Sequence, residues 1–301
     1  MKHLSQKIEE LKRSKNAVIL AHNYQVEDVQ LIADYLGDSL DLSRKAAEVE
    51  HDIIVFAGVK FMAETAKVLS PRKKVLLPRF DAGCPMADMI TVDDLNYLKE
   101  QHPNARVVTY VNSSVEIKAE SDACCTSANA VNVVKNIDGN EVIFIPDRNL
   151  GAYIQTKIPE KNIILFEGYC YVHNRIKREE VDEMKIRYPR AKVIVHPEAR
   201  MEVIEIADEV LSTSQMLKYV SQSKNREFIV ATEQGLLERM KREHPEKMFF
   251  PALRPKICSN MKRTSLKDIY DSLNEEKYEI ILDELVSKKA FAALDKMLTY
   301  T

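Results

Sequence analysis

Three widely spaced cysteines are the residues of this chain best suited to chemistry. Cys84 stands in Gly83-Cys84-Pro85-Met86, Cys170 in Glu167-Gly168-Tyr169-Cys170-Tyr171-Val172-His173, and Cys258 in Ile257-Cys258-Ser259-Asn260-Met261-Lys262. They lie 86 and 88 positions apart, and near-equal spacing points to one structural unit used three times. A lone cysteine is usually a small buried hydrophobe; three in equivalent places imply thiols gathered at a shared site. Three thiolates without a close fourth suit an iron–sulfur cluster in which one iron lacks a protein thiolate. Such an iron can bind substrate oxygen or nitrogen as a Lewis acid. A zinc centre of three cysteines and one histidine, with His173 as the fourth ligand, is the competing reading. Structural zinc usually takes close CxxC pairs, and none occurs here. Cys124 and Cys125 have no counterparts in the repeat and read as core thiols, although Cys125 precedes Thr126-Ser127 and could line a cavity.

The elements that must position these thiols repeat with them. Ala17–Tyr24, Ala105–Asn112 and Ala191–Glu198 are three strand-like runs offset by 88 and 86 positions. The same offsets carry Asp34 onto Asp122 and Asp208, and Ser39 onto Ser127 and Thr213. Each unit then shows a helical stretch, a second strand (Ile53–Ala57, Val142–Ile145, Phe228–Ala231), another helix, a third strand and a cysteine loop. Strands alternating with helices predict parallel βαβ units. A helix follows each cysteine, opened by Thr91-x-x-Asp94 and Ser265-x-x-Asp268 in two cases, which are capping-box patterns. The predicted fold is α/β: three αβα sandwiches with short parallel sheets, related by pseudo-threefold symmetry around a central cavity. Boundaries are expected at residues 1–87, 88–173 and 174–273, with 274–301 packing back on the first unit. No Gly/Ser linker separates the units, so they are expected to pack tightly.

The totals narrow the function. The 301-residue chain carries a formal net charge of −2, which gives no electrostatic case for nucleic acid. No apolar run approaches a membrane span, and the start lacks the apolar core of a signal peptide; a cytoplasmic location is expected. Five cysteines in a long chain argue for metal binding or reactivity over a disulfide framework. Neither GxGxxG nor GxxxxGK[ST] is present, so dinucleotide and P-loop readings have no support.

Ligands of parallel α/β sheets bind at the carboxyl ends of strands. His22 and Tyr24, Tyr110 and Asn112, and His196 and Glu198 end the three first strands. Ser39, Ser127 and Thr213 fall near predicted helix starts, where a hydroxyl and free N–H groups can bind an anion or simply cap the helix.

In order along the chain, Ala21-His22-Asn23-Tyr24-Gln25, Gly37-Asp38-Ser39, Phe61-Met62-Ala63-Glu64, Cys84-Pro85-Met86-Ala87, Tyr110-Val111-Asn112-Ser113, Cys125-Thr126-Ser127-Ala128-Asn129-Ala130, Pro146-Asp147-Arg148-Asn149-Leu150-Gly151, His196-Pro197-Glu198 and Asn260-Met261-Lys262 make the sequence resemble the quinolinate synthase (NadA) family over nearly its whole length. That resemblance implies a triangular three-domain fold and a central 4Fe-4S cluster held by Cys84, Cys170 and Cys258. It also implies condensation of iminoaspartate with dihydroxyacetone phosphate to quinolinate, phosphate and water. Tyr24, His196 and Glu198 would move protons, and Tyr110 and Asn112 would orient substrate. His22, Ser39, Ser127 and Thr213 would hold carboxylates or phosphate. By the same analogy an aspartate oxidase or dehydrogenase supplies the imine, with transient contact as one possibility. Ala199, Ser214, Tyr169, Tyr171 and Asp88 depart from the family's usual residues but remove no proposed ligand. A hydro-lyase acting on another hydroxy acid shares the open iron; a non-enzymatic iron–sulfur or zinc sensor would need an output surface, and the sequence offers none.

Overall fold

Uninterrupted aliphatic runs favour strands buried on both faces, as in parallel sheets covered by helices. The computed structural model, which describes residues 2–300, builds three such sheets. The first holds β1 (Ala17–His22), β2 (Tyr35–Gly37), β3 (Ile53–Ala57) and β4 (Lys74–Leu76). The second holds β5 (Arg106–Tyr110), β6 (Ala123–Cys125), β7 (Glu141–Ile145) and β8 (Asn162–Leu165). The third holds β9 (Lys192–Val195), β10 (Glu209–Val210), β11 (Glu227–Ala231) and β12 (Met248–Pro251). All pairings are parallel, in the order β2-β1-β3-β4 and its two equivalents. One face of the first sheet packs Ile19 and Val55 against Ile8 and Ile269; the other packs Leu20 and Phe56 with Leu42 and Met62. The α/β class with three αβα sandwiches is thus as expected.

Each unit has one strand more than the sequence suggested. β2, β6 and β10 run for only three, three and two residues, too short to show a period of two. What marks them is the repeated aspartate just before. Oδ2 of Asp34, Asp122 and Asp208 accepts the main-chain N–H of Ile19, Val107 and Val193, each at 2.8 Å. These carboxylates therefore clasp the edge strand to the first strand, and they take no part in the site whose spacing they share.

The repeat closes on itself. The helices after Cys84 and Cys170 pack on the next sheet along the chain, Leu95 against Val107 and Val181 against Val193. The helix after Cys258, Leu266–Glu275, was expected within the third unit. It packs instead on the first, where Ile269 and Leu273 join Ile8 and Ile53, because there is no fourth sheet to receive it. The tail divides its contacts as well. Glu279 bridges Leu76 on the first sheet, and Ile280 N–H donates to Val75. The helix Glu284–Thr299 lies mainly on the second unit, against Val115–Ala119 and β6, with fewer contacts to Lys60–Leu69.

Glu276 helps hold this closure. It ends its helix in the left-handed region (φ 52°) and pairs with Lys15 and Lys74, each at 2.5 Å. Hydrogen bonds from these lysines hold its carboxyl down at about 2. A depressed carboxyl stabilises the fold above its unfolded value of 4.5, and that contribution is lost as pH falls toward 2. With 32% of the side chain exposed, screening limits the effect to about 0.5 kcal/mol. Glu276→Gln should show that loss in urea unfolding at about pH 7 and a smaller one at about pH 3.

Candidate active site

The carboxyl ends of all three sheets face one cavity. Every residue given a ligand, proton-transfer or substrate role from the sequence lines it: Cys84, Cys170 and Cys258; His22 and Tyr24; Tyr110 and Asn112; His196 and Glu198; and Ser39, Ser127 and Thr213. Cys124 and Cys125 are buried in β6 and do not line it.

The three cysteine loops are held by one recurring device. The first N–H of the helix after the third strand donates to the carbonyl two residues before each cysteine. These bonds run from Lys60 to Ala82 (2.8 Å), Arg148 to Gly168 (2.9 Å) and Gln234 to Lys256 (2.8 Å). In two units the helix cap also grips the cysteine itself. Asp147 accepts N–H groups from Asn149 (2.8 Å), Leu150 (2.9 Å) and Cys170 (3.3 Å). Glu233 accepts from Gly235 (2.6 Å) and Cys258 (3.1 Å) and pairs with Lys262 (3.1 Å). Gly168 permits the close approach, since a Cβ there would stand 2.4 Å from the Pro146 carbonyl oxygen. Asp147→Ala would leave buried donors unpaired and should lower unfolding free energy by about 2 kcal/mol in denaturant titrations.

Each sulfur faces main-chain N–H donors just downstream. Cys84 has those of Met86 and Ala87, Cys170 that of His173, and Cys258 those of Asn260 and Met261. Burial nevertheless raises all three thiols, Cys84 to about 12, so they carry their protons at neutral pH unless a cation compensates. Tyr171 ties two of the loops together. Its oxygen accepts the Ser259 N–H at 3.0 Å, and its hydroxyl lies 3.7 Å from Cys258 Sγ.

A buried polar chain crosses all three units beside the thiols. Tyr24 Oη lies 2.7 Å from Thr232 Oγ1, which lies 2.9 Å from His173 Nε2. His173 Nδ1 lies 2.6 Å from Glu198 Oε2, and the Tyr110 hydroxyl donates to Glu198 Oε1 at 2.5 Å. Burial works to raise the Glu198 pKa; the pull of His173 and His196 and these hydrogen bonds outweigh it and hold the carboxyl below its ordinary range. His22 and His196 are pushed down to about 3, mainly by burial, and are neutral. Each Nδ1 accepts the N–H two residues on, from Tyr24 at 3.1 Å and Glu198 at 3.4 Å. Each ring proton is therefore on Nε2. The sulfur of Cys170, a nitrogen of His173 and an oxygen of Glu198 also lie within 4.8 Å of one another, a group able to hold a metal ion.

The three hydroxyl residues are not the caps of their helices. In two units capping falls one position earlier, where Asp38 accepts from Leu40 and Asp41 and Ser212 from Gln215. Ser127 lies in the turn before the helix Ala130–Asn136, whose N-cap is Asn129. Ser39, Ser127 and Thr213 are left to face the cavity. Asn112 also lines it, and its buried Oδ1 has no hydrogen-bond partner among the described residues. Ser214, where the resemblance led us to expect glycine, bonds Asp41 and the Asp38 N–H and so ties the first unit to the third. Ala199 is packed in the third unit's core.

Sequence reasoning overlooked Thr232, Asp147 and Glu233 as parts of the site, and it considered His173 only as a zinc ligand. For the two carboxylates a signal was present. They lie 86 positions apart, the repeat's own offset.

The chain matches the NadA family, described as quinolinate synthetase A protein, over residues 6–299. It is 52% identical over 291 residues to a quinolinate synthase of Alkaliphilus metalliredigens, covering 97% of this chain and 96% of that one. It is 50% identical over 295 residues to a quinolinate synthase of Caldicellulosiruptor saccharolyticus, covering 98% and 97%. It is 48% identical over 296 residues to quinolinate synthase 2 of Methanosarcina acetivorans, covering 98% and 95%.

Proposed function

The chain belongs to the quinolinate synthetase A (NadA) family of enzymes, and from that membership we propose that it condenses iminoaspartate with dihydroxyacetone phosphate to quinolinate, releasing phosphate and water, as a step toward NAD. The observation that carries this reading is the opening of three repeat-matched thiols and one buried acid–base chain into a single cavity.

The donor set fits a 4Fe-4S cluster held by Cys84, Cys170 and Cys258. Main-chain N–H groups aimed at all three sulfurs are the second shell that thiolate ligands need, and among the described residues no fourth cysteine lines the cavity. A zinc centre completed by His173 fits less well, because both ring nitrogens already face protein partners, Glu198 and Thr232. When bound, the cluster supplies an iron free of protein thiolate, a Lewis acid for substrate oxygen or nitrogen.

The chain's own residues supply the rest. Glu198 is the ionised base that removes carbon- and nitrogen-bound protons. Protons reach or leave it through His173 and Thr232 to the Tyr24 hydroxyl, and directly from Tyr110. His196 and His22 are neutral Nε2–H donors that steady developing oxyanions or carboxylates. Asn112 presents its unpaired oxygen to a substrate hydroxyl or amine. Ser39, Ser127 and Thr213 hold the anionic groups. Domain packing at the cavity lets a small rotation admit and release ligands. An aspartate oxidase or dehydrogenase supplies the imine, by transient contact or through solution. No helix of the described residues is long and apolar enough to cross a membrane, and we place the reaction in the cytoplasm. Anaerobically prepared protein, given dihydroxyacetone phosphate and imine generated in place, should form quinolinate. Iron- and sulfide-replete protein that forms none would defeat the proposal.

A further inference from the structure

The cavity hydroxyls of Ser39, Ser127 and Thr213 occupy matching positions, but only one of them is wired. Asn23 Nδ2 donates to Thr213 Oγ1 at 2.8 Å, across the junction of the first and third units. Asn23 Oδ1 accepts from Arg239 Nη1 at 2.5 Å, and Arg239 is itself fixed by Glu243 at 2.7 Å. Asn23 is fully buried and Thr213 nearly so. The repeat places Val111 and Pro197 at the positions equivalent to Asn23, so neither of the other units can make this contact.

The donor rules leave one arrangement. A guanidinium has no acceptor, so the amide oxygen must face Arg239 and the amide nitrogen must face Thr213. That nitrogen can only donate, so the Thr213 oxygen must accept. Among the described residues nothing within hydrogen-bond reach accepts the remaining Thr213 proton. Thr213 opens the helix Thr213–Gln222 and lines the cavity.

We propose that Asn23, held by Arg239, is a positioning residue that commits the Thr213 hydroxyl to donate its proton to an anionic ligand oxygen, phosphate or carboxylate. This rests on the functional reading above and deepens it: one subsite is a fixed donor, whereas Ser39 and Ser127 stay free to rotate. It makes Asn23→Asp the informative change. An aspartate keeps the shape and the Arg239 contact, but it takes the Thr213 proton for itself.

The test uses cluster-loaded protein prepared without oxygen and measures dissociation constants for inorganic phosphate and for quinolinate separately. The variants are Asn23→Asp, Thr213→Val and the two combined. Each single change should weaken one of the two anions at least about tenfold, the worth of a lost charge-assisted hydrogen bond. The anion affected identifies what the subsite takes. The double variant should bind no worse than Thr213→Val alone, because both changes remove the same bond. Any general repulsion from the new carboxylate would persist in the double variant and multiply instead. Should the aspartate prevent folding, Arg239→Met gives a second reading: a loss of affinity that disappears in the Thr213→Val background. Unchanged affinities in the single variants, or losses that multiply, overturn the relay while leaving quinolinate formation by the parent protein as a separate result. A parent protein that makes quinolinate but binds neither anion also overturns it.

Discussion

Glu198→Gln should reduce quinolinate formation by at least about a hundredfold, within the range assigned to a general base. The substitution keeps the size of the side chain and its ability to accept from Tyr110. It removes the negative charge that faces His173 at 2.6 Å. The histidines and tyrosines beside it in the cavity do not replace that charge. His22 and His196 are neutral donors, and burial raises Tyr24 and Tyr110 well above their ordinary range. The glutamine variant should retain its iron and sulfide, since Glu198 is not among the proposed ligands. Steady-state assays at saturating substrate should show the loss in kcat. Near-normal turnover would remove Glu198 from the chemistry.

Cys170→Ala should have the larger effect, with iron, sulfide and activity all falling to background. Cys170 sits in a firmly braced loop. Its N–H is held by Asp147, the carbonyl two residues earlier by Arg148, and its sulfur lies 3.3 Å from His173 Nδ1. The fold should survive, because the cysteine is only partly buried and packs at the edge of the core. Circular dichroism and thermal unfolding of apo-protein should therefore change little. Loss of iron with loss of fold would mean that the residue is structural. Retention of full iron and activity would refute its role as a ligand.

Most of the architecture could be read from the chain, because the repeat prints each landmark three times. One aliphatic run could be a strand or a buried helix; three runs at offsets of 88 and 86, each followed by the same polar residues, could be little else. The cavity residues were legible for the same reason. The errors arose where spacing reports register without reporting use. Asp34, Asp122 and Asp208 keep perfect offsets because strand clasping needs them as strictly as a site would. Ser39 and Thr213 looked like caps, but capping falls on Asp38 and Ser212 one position earlier. A linear reading keeps the helix 266–275 within the third unit, because it does not show that a threefold ring closes. His173 and Thr232 have no repeat partners in the acid–base chain, and only the packing of the second unit against the third brings them together.

The central claim is that three thiols from three repeats hold one cluster and leave one iron to substrate. Mössbauer spectroscopy of protein loaded with enriched iron, with and without dihydroxyacetone phosphate, tests it most directly. The account predicts one iron distinct from the others, whose signal shifts when substrate is added while the remainder stay fixed. Irons that are all alike and blind to substrate, or a chain that carries zinc in their place, would contradict it.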